Sequence, residues 1–344
     1  MGDFIFQISF LFFFIFSMIK NGKPDLLYAR QNYSGILPIF FSKILGIPYF
    51  AEVNNIVNQI NGQIRNLKTI LKIFMEQKCL YYADIIVTPS KTLNQRISQR
   101  YKLPLSKIYA VPNGFNEKIF YPKSTNLSDT PQLNKFCPDD LIVGFVGSMG
   151  EWQGINIFKQ SILKLSSENI NDKIKYLLVG DYVKNLKDML KSRSDTGGMK
   201  DDIQSFIRDN HLEGKVIYTG HVDYVKTADY INTCDILVAP YTKNSIEAGG
   251  GSPMKLYAYM GCGRPVIISD LGEFTDSEAL KKHGAAYLIE PESSQELNKA
   301  IKKLKNDPVL SKKLSANGKK FVLEHRTWFH SAKKIVSIFH ETNS

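Results

Sequence analysis

Short runs of β-branched and aromatic residues alternate with helix-length amphipathic stretches along most of the chain. This alternation predicts parallel sheets with helices on both faces. In the first half we expect helices near 34–45, 64–82 and 90–100 and strands at 25–29, 48–53, 84–88 and 108–111. In the second half we expect strands at 141–146, 175–179, 215–218, 235–239, 265–269 and 286–289. The pattern therefore predicts an α/β chain with two domains, each built on a parallel sheet with helices on both faces.

The hydrophobic pattern is interrupted between Asn113 and Asp140, where Pro, Asn, Ser, Thr and Asp dominate. Such a composition is typical of a linker. A length of 344 residues also agrees with about two domains. We expect a first domain over 1–122, a linker over 123–139, a second domain over 140–325, and a C-terminal segment over 326–344 whose helix packs at the domain edge.

Basic residues are concentrated in the first third of the chain. Residues 1–123 contain 15 Lys and Arg against 6 Asp and Glu, while the whole chain has a net charge of +11. A basic surface can attract anionic lipid head groups or nucleic acid. Because the positive residues are dispersed along helical patterns, a solvated face is the simpler interpretation. Contact of residues 1–110 with an anionic membrane is the alternative, and no nucleic-acid partner is expected.

The apolar run 4–19 is shorter than the ~20 residues that cross a bilayer, and it contains Gln7, Ser9 and Ser17. It has neither a basic n-region nor a cleavage site of small residues, which disfavours a signal peptide. A buried helix is the leading interpretation, with a membrane-surface helix and an anchor as alternatives.

The four cysteines show no C-x-x-C spacing, so we expect no metal site. We also expect a cytoplasmic protein, either free or peripheral on the inner face of the membrane.

A glycine-rich turn, GSMGEWQG over 147–154, follows the first strand of the second domain. Ligands of open α/β sheets bind at the carboxyl ends of the strands, and glycines let the backbone approach a phosphate. The turn is neither G-x-G-x-x-G nor a P-loop. A turn that only links strand to helix is an equal alternative. The candidate donor-binding residues are Gly147, Ser148, Gln153 and Gly154.

A second glycine-rich segment, GGGSPMK over 249–255, precedes a helix. Ser252 and Pro253 suit the N-cap and first helical positions. Lys255 in the first turn is placed poorly for helix stability but well for a phosphate. The alternative is a plain helix cap with a solvent-facing lysine. Two such turns in one domain suggest a diphosphate ligand, and the second adds as candidates Gly249, Gly250, Gly251, Ser252, Pro253 and Lys255.

The segment SPMKLYAYMGCGRPVIISD, residues 252–270, is similar to the SP-x-KLFEYMA-x-G-x-PVI segment of glycosyltransferase family 4, also called group 1. Other landmarks of that family occur in the expected order. They are ADIIVTPS at 83–90, VPNG at 111–114, GFVGS at 144–148, LVGD at 178–181, and Cys234 with Asp235. The resemblance extends over nearly the whole chain from about Pro24.

This resemblance implies a GT-B enzyme with two Rossmann-like, doubly wound domains, which transfers sugar with retention of anomeric configuration. The second domain would hold an NDP-sugar as co-substrate, the first a glycan or lipid-linked acceptor, and neither a cofactor nor a metal would be needed. By position, the turn at 147–154 and Lys255 would lie near the diphosphate, with Gly180 and Asp181 in the same donor set. Electrostatic stabilisation of the leaving diphosphate would be the main catalytic contribution.

The chain departs from the family pattern at its polar donor contacts. A pair of glutamates eight positions apart is replaced by Gly250 and Ala258, and the basic residue of the first turn by Gln153. Glu247 is a candidate catalytic substitute, together with Lys255. An exposed loop carboxylate is the equal alternative for Glu247.

The βα units that open the family pattern are absent ahead of PDLLYAR, which predicts an incomplete first domain. The polar candidates on the acceptor side are Arg30, Glu52 and Asn54, all at strand ends. Glu52 could instead pair with a surface lysine.

The favoured function is transfer of a hexose-type sugar in surface polysaccharide synthesis. The main alternative is a truncated or degenerate homologue with little or no turnover, and nucleotide-sugar epimerisation is disfavoured because few cleft acids and bases are in position.

Overall fold

The computed structural model describes residues 2–30, 36–56, 67–124, 133, 135–168, 173–181, 197–248 and 251–343. The chain forms two compact units. Unit 1 consists of Met1–Pro112 with Glu247–Gly251, and unit 2 of Asn113–Ile246 with Ser252–Ser344. Leu133 and Phe136, inside the expected linker, are buried in the core of unit 2. The domain limits expected from the sequence stay a prediction.

Unit 1 is built on a four-stranded parallel sheet whose strands are adjacent in chain order. Apolar side chains of the sheet, among them Tyr49 and Ile86, are buried against the flanking helices. Its elements are α1 (Gly2–Asn21), β1 (Leu27–Arg30), α2 (Ile36–Leu45), β2 (Tyr49–Glu52), α3 (Leu67–Tyr82), β3 (Ile85–Thr88), α4 (Lys91–Tyr101) and β4 (Ile108–Ala110).

Unit 2 contains a six-stranded parallel sheet in the order β10-β9-β8-β5-β6-β7. Its elements are β5 (Leu141–Val146), α5 (Ile155–Glu168), β6 (Ile174–Val179), α6 (Gly197–Asp209), β7 (Val216–Tyr218), α7 (Thr227–Thr233), β8 (Ile236–Ala239), α8 (Asn244–Ala248), α9 (Met254–Gly261), β9 (Val266–Ser269), α10 (Ser277–His283), β10 (Tyr287–Ile289), α11 (Ser294–Asn306), α12 (Pro308–His325) and α13 (Trp328–Asn343).

Both faces of the second sheet are covered, as the run of apolar residues in its strands requires. Along β5, Val143 and Phe145 belong to one buried cluster, whereas Ile142 and Val146 belong to another. Successive side chains of a strand point to opposite faces, so each cluster is the core on one side of the sheet. All ten strands expected from the sequence are confirmed, each within two residues of its expected limits.

Side-chain caps fix where several helices begin. Ser90 accepts a hydrogen bond from the Leu93 N–H at the start of α4, and Ser293 caps α11 in the same way. Asp307 caps α12, whose first residue is Pro308. These are the residue types that satisfy the free N–H groups of a first turn.

Among the described side chains of α1, residues 9–21, one face is buried and the other is exposed, so the interpretation as a buried helix holds for one face. Phe14 is buried, with its ring centre 5.1 Å from that of Phe41 in α2. Phe12, Phe13, Phe16 and Ile19 lie on the other face and are between 64% and 81% exposed. Among the described residues, no helix is long and apolar enough to cross a membrane.

Candidate functional site

The candidate site lies in unit 2, at the carboxyl ends of its central strands. The strand order reverses around β5, which has β6 on one side and β8 on the other. A crevice opens at such a switch point in doubly wound sheets and is the usual ligand position. The turn 147–154 follows β5, so the sequence placed it correctly at this edge.

The turns after β5 and β6 approach each other closely enough to require glycine. Gly147 and Gly180 have φ angles of 132° and 122°, and a Cβ added to Gly180 would overlap the carbonyl oxygen of Gly147. The backbone N–H of Gly147 donates to Val179 across 2.8 Å, and that of Met149 donates to Asp181 across 2.7 Å. The structure therefore brings Gly147, Gly180 and Asp181 together, as expected.

Gly154 closes the first turn in a left-handed conformation, with a φ of 81°. A Cβ at this position would overlap the carbonyl oxygen of Pro240, which follows β8. Any side chain would force the turn away from the carboxyl end of β8. The glycine therefore serves a close backbone approach as well as a turn.

The start of α9 differs from the expectation in one respect. The N-cap residue is Pro253, without a side-chain cap, and the first helical residue is Met254. The prediction that Ser252 caps the helix is wrong, and so is the placement of Pro253 inside it. Ser252 has a φ of 60°, and its hydroxyl instead accepts a hydrogen bond from the Asn113 N–H across 2.8 Å.

Lys255 is the cation of the site, and it turns inward. Its amine lies 4.1 Å from the centre of the Phe145 ring and 4.7 Å from that of Tyr241. It donates a hydrogen bond to Oε1 of Gln153 across 2.6 Å, and Nε2 of Gln153 donates to Oγ of Ser148 across 2.6 Å. The alternative of a solvent-facing lysine is therefore wrong.

Burial lowers the pKa of the Lys255 amine to about 7. Among the described residues, two aromatic rings and a neutral amide contact the amine, and these groups hold a cation without cancelling its charge. A bound anion would pair with that charge. Sequence reasoning found Lys255 but missed Phe145, near the end of β5, and Tyr241, two residues after the end of β8.

Three of the expected donor-side groups lie partly or wholly outside the described residues. Gly249 and Gly250 are outside them, and so is the side chain of Glu247, whose backbone belongs to the helix α8. Gly251 is described and has a φ of 90°. A catalytic role for Glu247 stays a prediction. Ala258, at the second position of the missing glutamate pair, is buried in the core of unit 2.

The acceptor-side candidates meet at one edge of the unit 1 sheet. Arg30 and Glu52 are opposite each other in the pairing of β1 with β2. Glu52 accepts a hydrogen bond from the Tyr28 hydroxyl across 2.9 Å and another from the Asn54 amide across 2.6 Å. Burial, followed by the charge of Glu52, raises the pKa of Tyr28 above its usual range. Sequence reasoning missed Tyr28, two residues before Arg30 on the same strand.

Family models cover both halves of the chain. The model described as glycosyl transferases group 1 matches residues 130–321, and that described as glycosyltransferase family 4 matches residues 3–118. The chain belongs to the group 1 glycosyltransferases. The resemblance seen in the SPMK segment is confirmed.

This group 1 glycosyltransferase is 24% identical over 334 residues to the uncharacterized glycosyltransferase MJ1069 of Methanocaldococcus jannaschii, an alignment that covers 95% of this chain and 70% of the relative. It is similar to the crystal structure of Anabaena Alr3699/HepE in complex with UDP, with a TM-score of 0.69, 17% identity and coverage of 92% of this chain and 79% of that one. It is also similar to sucrose-phosphate synthase from Thermosynechococcus elongatus, with a TM-score of 0.68, 20% identity and coverage of 95% of this chain and 76% of that one.

These structural likenesses identify the fold of this group 1 glycosyltransferase as GT-B. The expected class, α/β with two Rossmann-like units and parallel sheets, is confirmed. An incomplete first domain stays a prediction.

Proposed function

We propose that this protein transfers a hexose-type sugar from an NDP-sugar to a glycan or lipid-linked acceptor, with retention of anomeric configuration, in the synthesis of a surface polysaccharide. The observation that carries the proposal is the position of Lys255, whose amine donates a hydrogen bond to Gln153 of the first glycine turn and whose Cδ would lie 3.4 Å from a Cβ built on Gly147 of that turn. A cation and two glycine turns at one sheet edge suit a diphosphate. UDP and UDP-glucose, which the Anabaena relative binds, belong to this ligand class.

In the proposed reaction, the acceptor hydroxyl oxygen bonds to the sugar C1, on the face that the diphosphate leaves, as the bond between C1 and the diphosphate oxygen breaks. The diphosphate keeps the bonding electrons, and the hydroxyl proton passes to a diphosphate oxygen. Lys255 stabilises that developing charge, while backbone N–H groups of the turn at 147–154 and of Gly251 orient the phosphates. The aromatic rings of Phe145 and Tyr241 keep water from the amine and so strengthen its attraction for the anion. The proposal needs no cofactor besides the NDP-sugar.

The acceptor is proposed to bind unit 1. Glu52, with Tyr28 and Asn54 bonded to it, offers carboxylate, phenol and amide groups at the end of two strands, and Arg30 adds a cation. Such a set suits the hydroxyl groups of a sugar and a neighbouring anionic group. The geometry supports a polar acceptor.

We further propose that unit 1 contacts an anionic membrane on its cytoplasmic side through residues 1–110. Support comes from the exposed apolar face of α1, formed by Phe12, Phe13, Phe16 and Ile19. Lys20 and Lys23 follow this face in the sequence and are exposed. Apolar side chains next to exposed lysines are the combination that binds anionic bilayer surfaces.

Transfer is tested by incubating the protein with UDP-, GDP- and ADP-hexoses and a panel of glycan and lipid-linked acceptors. We expect release of one nucleoside diphosphate together with a product whose anomeric configuration, read by NMR, matches that of the donor. An inverted product would contradict the retaining mechanism. Absence of both transfer and donor hydrolysis with every donor would favour the second function.

The second function is that of a homologue with little or no turnover. The observation that favours it is Ala258, which is buried in α9 and provides no carboxylate for a ribose. Comparing A258E with its neutral counterpart A258Q tests this idea. A gain in donor hydrolysis in A258E alone would support it, whereas equal rates in both variants and the parent would count against the missing glutamate as the defect.

A further inference from the structure

Ser252 engages every one of its polar groups although it stands in the glycine-rich donor segment. Its backbone N–H donates to the Phe274 carbonyl across 3.2 Å, and its carbonyl accepts from the Asn113 side-chain amide across 3.0 Å. Its hydroxyl accepts from the Asn113 N–H and lies 3.1 Å from the Tyr257 hydroxyl. A buried residue with a φ of 60° is thus tied down on all sides.

The Tyr257 hydroxyl links Ser252 to the ion pair of Asp276 with Arg326. It donates to Oδ2 of Asp276 across 2.6 Å, and the same oxygen accepts from Nε of Arg326 across 2.8 Å. The Asp276 and Arg326 side chains are each only 16% exposed. The side chains of Ser252, Tyr257, Asp276 and Arg326 therefore form one hydrogen-bonded network within unit 2.

The ion pair of Asp276 with Arg326 determines which group donates and which accepts in every hydrogen bond of this network. A carboxylate can only accept and a guanidinium can only donate, so Tyr257 must donate to Asp276. The Ser252 hydroxyl must then donate to Tyr257, which leaves its lone pairs directed at the Asn113 N–H. Hydrogen bonds in series strengthen one another when their directions agree.

Two residues of this hydrogen-bonded series, Ser252 and Asp276, have a left-handed backbone conformation. Asp276 has a φ of 57°, and Ser252 one of 60°. Asp276 stands at the N-cap position of α10, yet its side chain makes no capping bond there and binds Tyr257 and Arg326 instead. Non-glycine residues persist in this conformation only where surrounding contacts hold them.

The network reaches the cation of the donor site by two routes. Tyr257 and Lys255 lie two residues apart in the first turn of α9. Phe274, which accepts the Ser252 N–H, packs on Tyr241 with 5.6 Å between ring centres, and the Tyr241 ring borders the Lys255 amine. A shift of Ser252 would therefore move both the start of α9 and the aromatic rings of Phe274 and Tyr241.

We propose that Tyr257, Asp276 and Arg326 are positioning residues of the donor site, which fix the direction of the Ser252 hydroxyl and hold the turn Gly251–Pro253 where α9 presents Lys255 to the diphosphate. This inference rests on the proposed function. The family segment reads KLF where this chain reads KLY, so the Tyr257 hydroxyl is a feature of this chain rather than of the family pattern.

The sharpest test is Y257F, which removes one hydroxyl and keeps the ring. Y101F is the matched control, because the Tyr101 hydroxyl is also bonded to a carboxylate, that of Glu76 in unit 1. We expect Y257F to raise the KM for the NDP-sugar about tenfold with kcat within twofold, while Y101F leaves both unchanged. An equal loss of thermal stability in the two variants, with the donor KM unchanged in both, would overturn the proposal.

D276N tests whether the donor and acceptor order of the hydrogen bonds matters, and not only whether the bonds are present. An asparagine amide can donate to Tyr257, so the Ser252 hydroxyl is no longer forced to point away from Asn113. We expect D276N to weaken donor binding as much as Y257F, and the double variant to lose no more than either single one. Additive losses would show that the two residues act separately and would contradict the proposal.

Amide hydrogen exchange of the free protein separates this inference from the proposed function. The network predicts that Y257F accelerates exchange at residues 251–256 in the absence of any ligand, and that Y101F does not. If the parent protein binds no NDP-sugar but shows this difference, the proposed donor is wrong and the network stands. Unchanged exchange at 251–256 in Y257F would overturn the network itself.

Discussion

The amine of Lys255 and the side-chain oxygen of Gln153 are 2.6 Å apart, although the two residues are separated by 102 positions in the sequence. This hydrogen bond joins the two glycine turns that, taken together, predicted a diphosphate ligand from the sequence. Because Gln153 is neutral, it orients the amine and leaves the positive charge free. Within the turn 147–154 and the described residues 251–255, Lys255 is therefore the one cationic side chain.

Replacing Gln153 with glutamate should weaken donor binding by more than about tenfold, since an added carboxylate would pair with Lys255 and repel a diphosphate. The binding constant for the NDP-sugar is measured by titration calorimetry. The matched control Q153M removes the hydrogen bond without adding charge and should stay within about threefold of the parent. Equal affinities for Q153E and Q153M would show that Lys255 does not contact the donor anion.

Donor affinity should depend on pH through Lys255. The free amine has a pKa of about 7, and a bound diphosphate raises it. Affinity is therefore highest below pH 7 and falls as the pH rises above it, by up to about tenfold per unit until the pKa of the bound amine is reached. An NDP-sugar keeps the charge of its diphosphate over this range, so the protein is the source of the change.

The same pKa gives a second signature in the absence of ligand. Between pH 7 and the ordinary lysine value of 10.5, the unfolded chain holds a proton that the folded protein has released. The contribution of Lys255 to the free energy of unfolding therefore becomes more favourable as the pH rises through that window.

The variant K255R is the control for the pH dependence of donor affinity. Because the charge of arginine persists, the donor affinity of K255R should be level between pH 6 and pH 9. A parent protein with equally level affinity would contradict the lowered pKa.

Substituting Gly154 with alanine should destabilise unit 2 by about 2–4 kcal/mol, because a Cβ would overlap Pro240 in a left-handed backbone. Urea denaturation followed by circular dichroism gives the change. G214A is the control, since a Cβ at Gly214 would meet no atom within 4 Å. If G154A were as stable as G214A, the close approach of the turn to β8 would not be a constraint on the fold.

The exposed face of α1 should bind vesicles rich in anionic lipid. The triple variant F12S/F13S/F16S is expected to lower co-sedimentation at least tenfold, because each buried aromatic ring contributes about 1.5–3 kcal/mol. The control V309S/F329S removes two residues of unit 2 that are 79% and 68% exposed. Equal vesicle binding by both variants, or none by the parent, would assign that face to another partner, such as a second copy of the chain.

The fold followed from the sequence because its signals are local. Strand runs such as 141–146 and 235–239 contain the residues that a doubly covered parallel sheet buries, and the periodicity alone located them. The helix at 2–21 was harder, since a run that is apolar on all sides hides which face packs. Exposure of Phe12 and burial of Phe14 depend on where α2 lies, which no local pattern records.

The site was only partly predictable for the same reason. Gly147, Gly154 and Lys255 were recognisable because turn chemistry and charge are properties of single residues. Ser252 looked like a helix cap, and only its pairing with Asn113, 139 positions away, shows its different role. Asp276 and Arg326 carried no signal at all, since an aspartate beside a helix and an arginine near the C-terminus are ordinary until the fold joins them.

The most direct test of the donor site is titration calorimetry of the parent protein and K255M with UDP-, GDP- and ADP-sugars. Loss of one charge-assisted contact costs about 1.5–3 kcal/mol, so we expect the parent to bind one of these donors and K255M to bind it about 10- to 100-fold more weakly. K299M, which removes an exposed lysine on α11, should bind like the parent. Binding of no nucleotide sugar by the parent, or equal binding by K255M, would contradict the account.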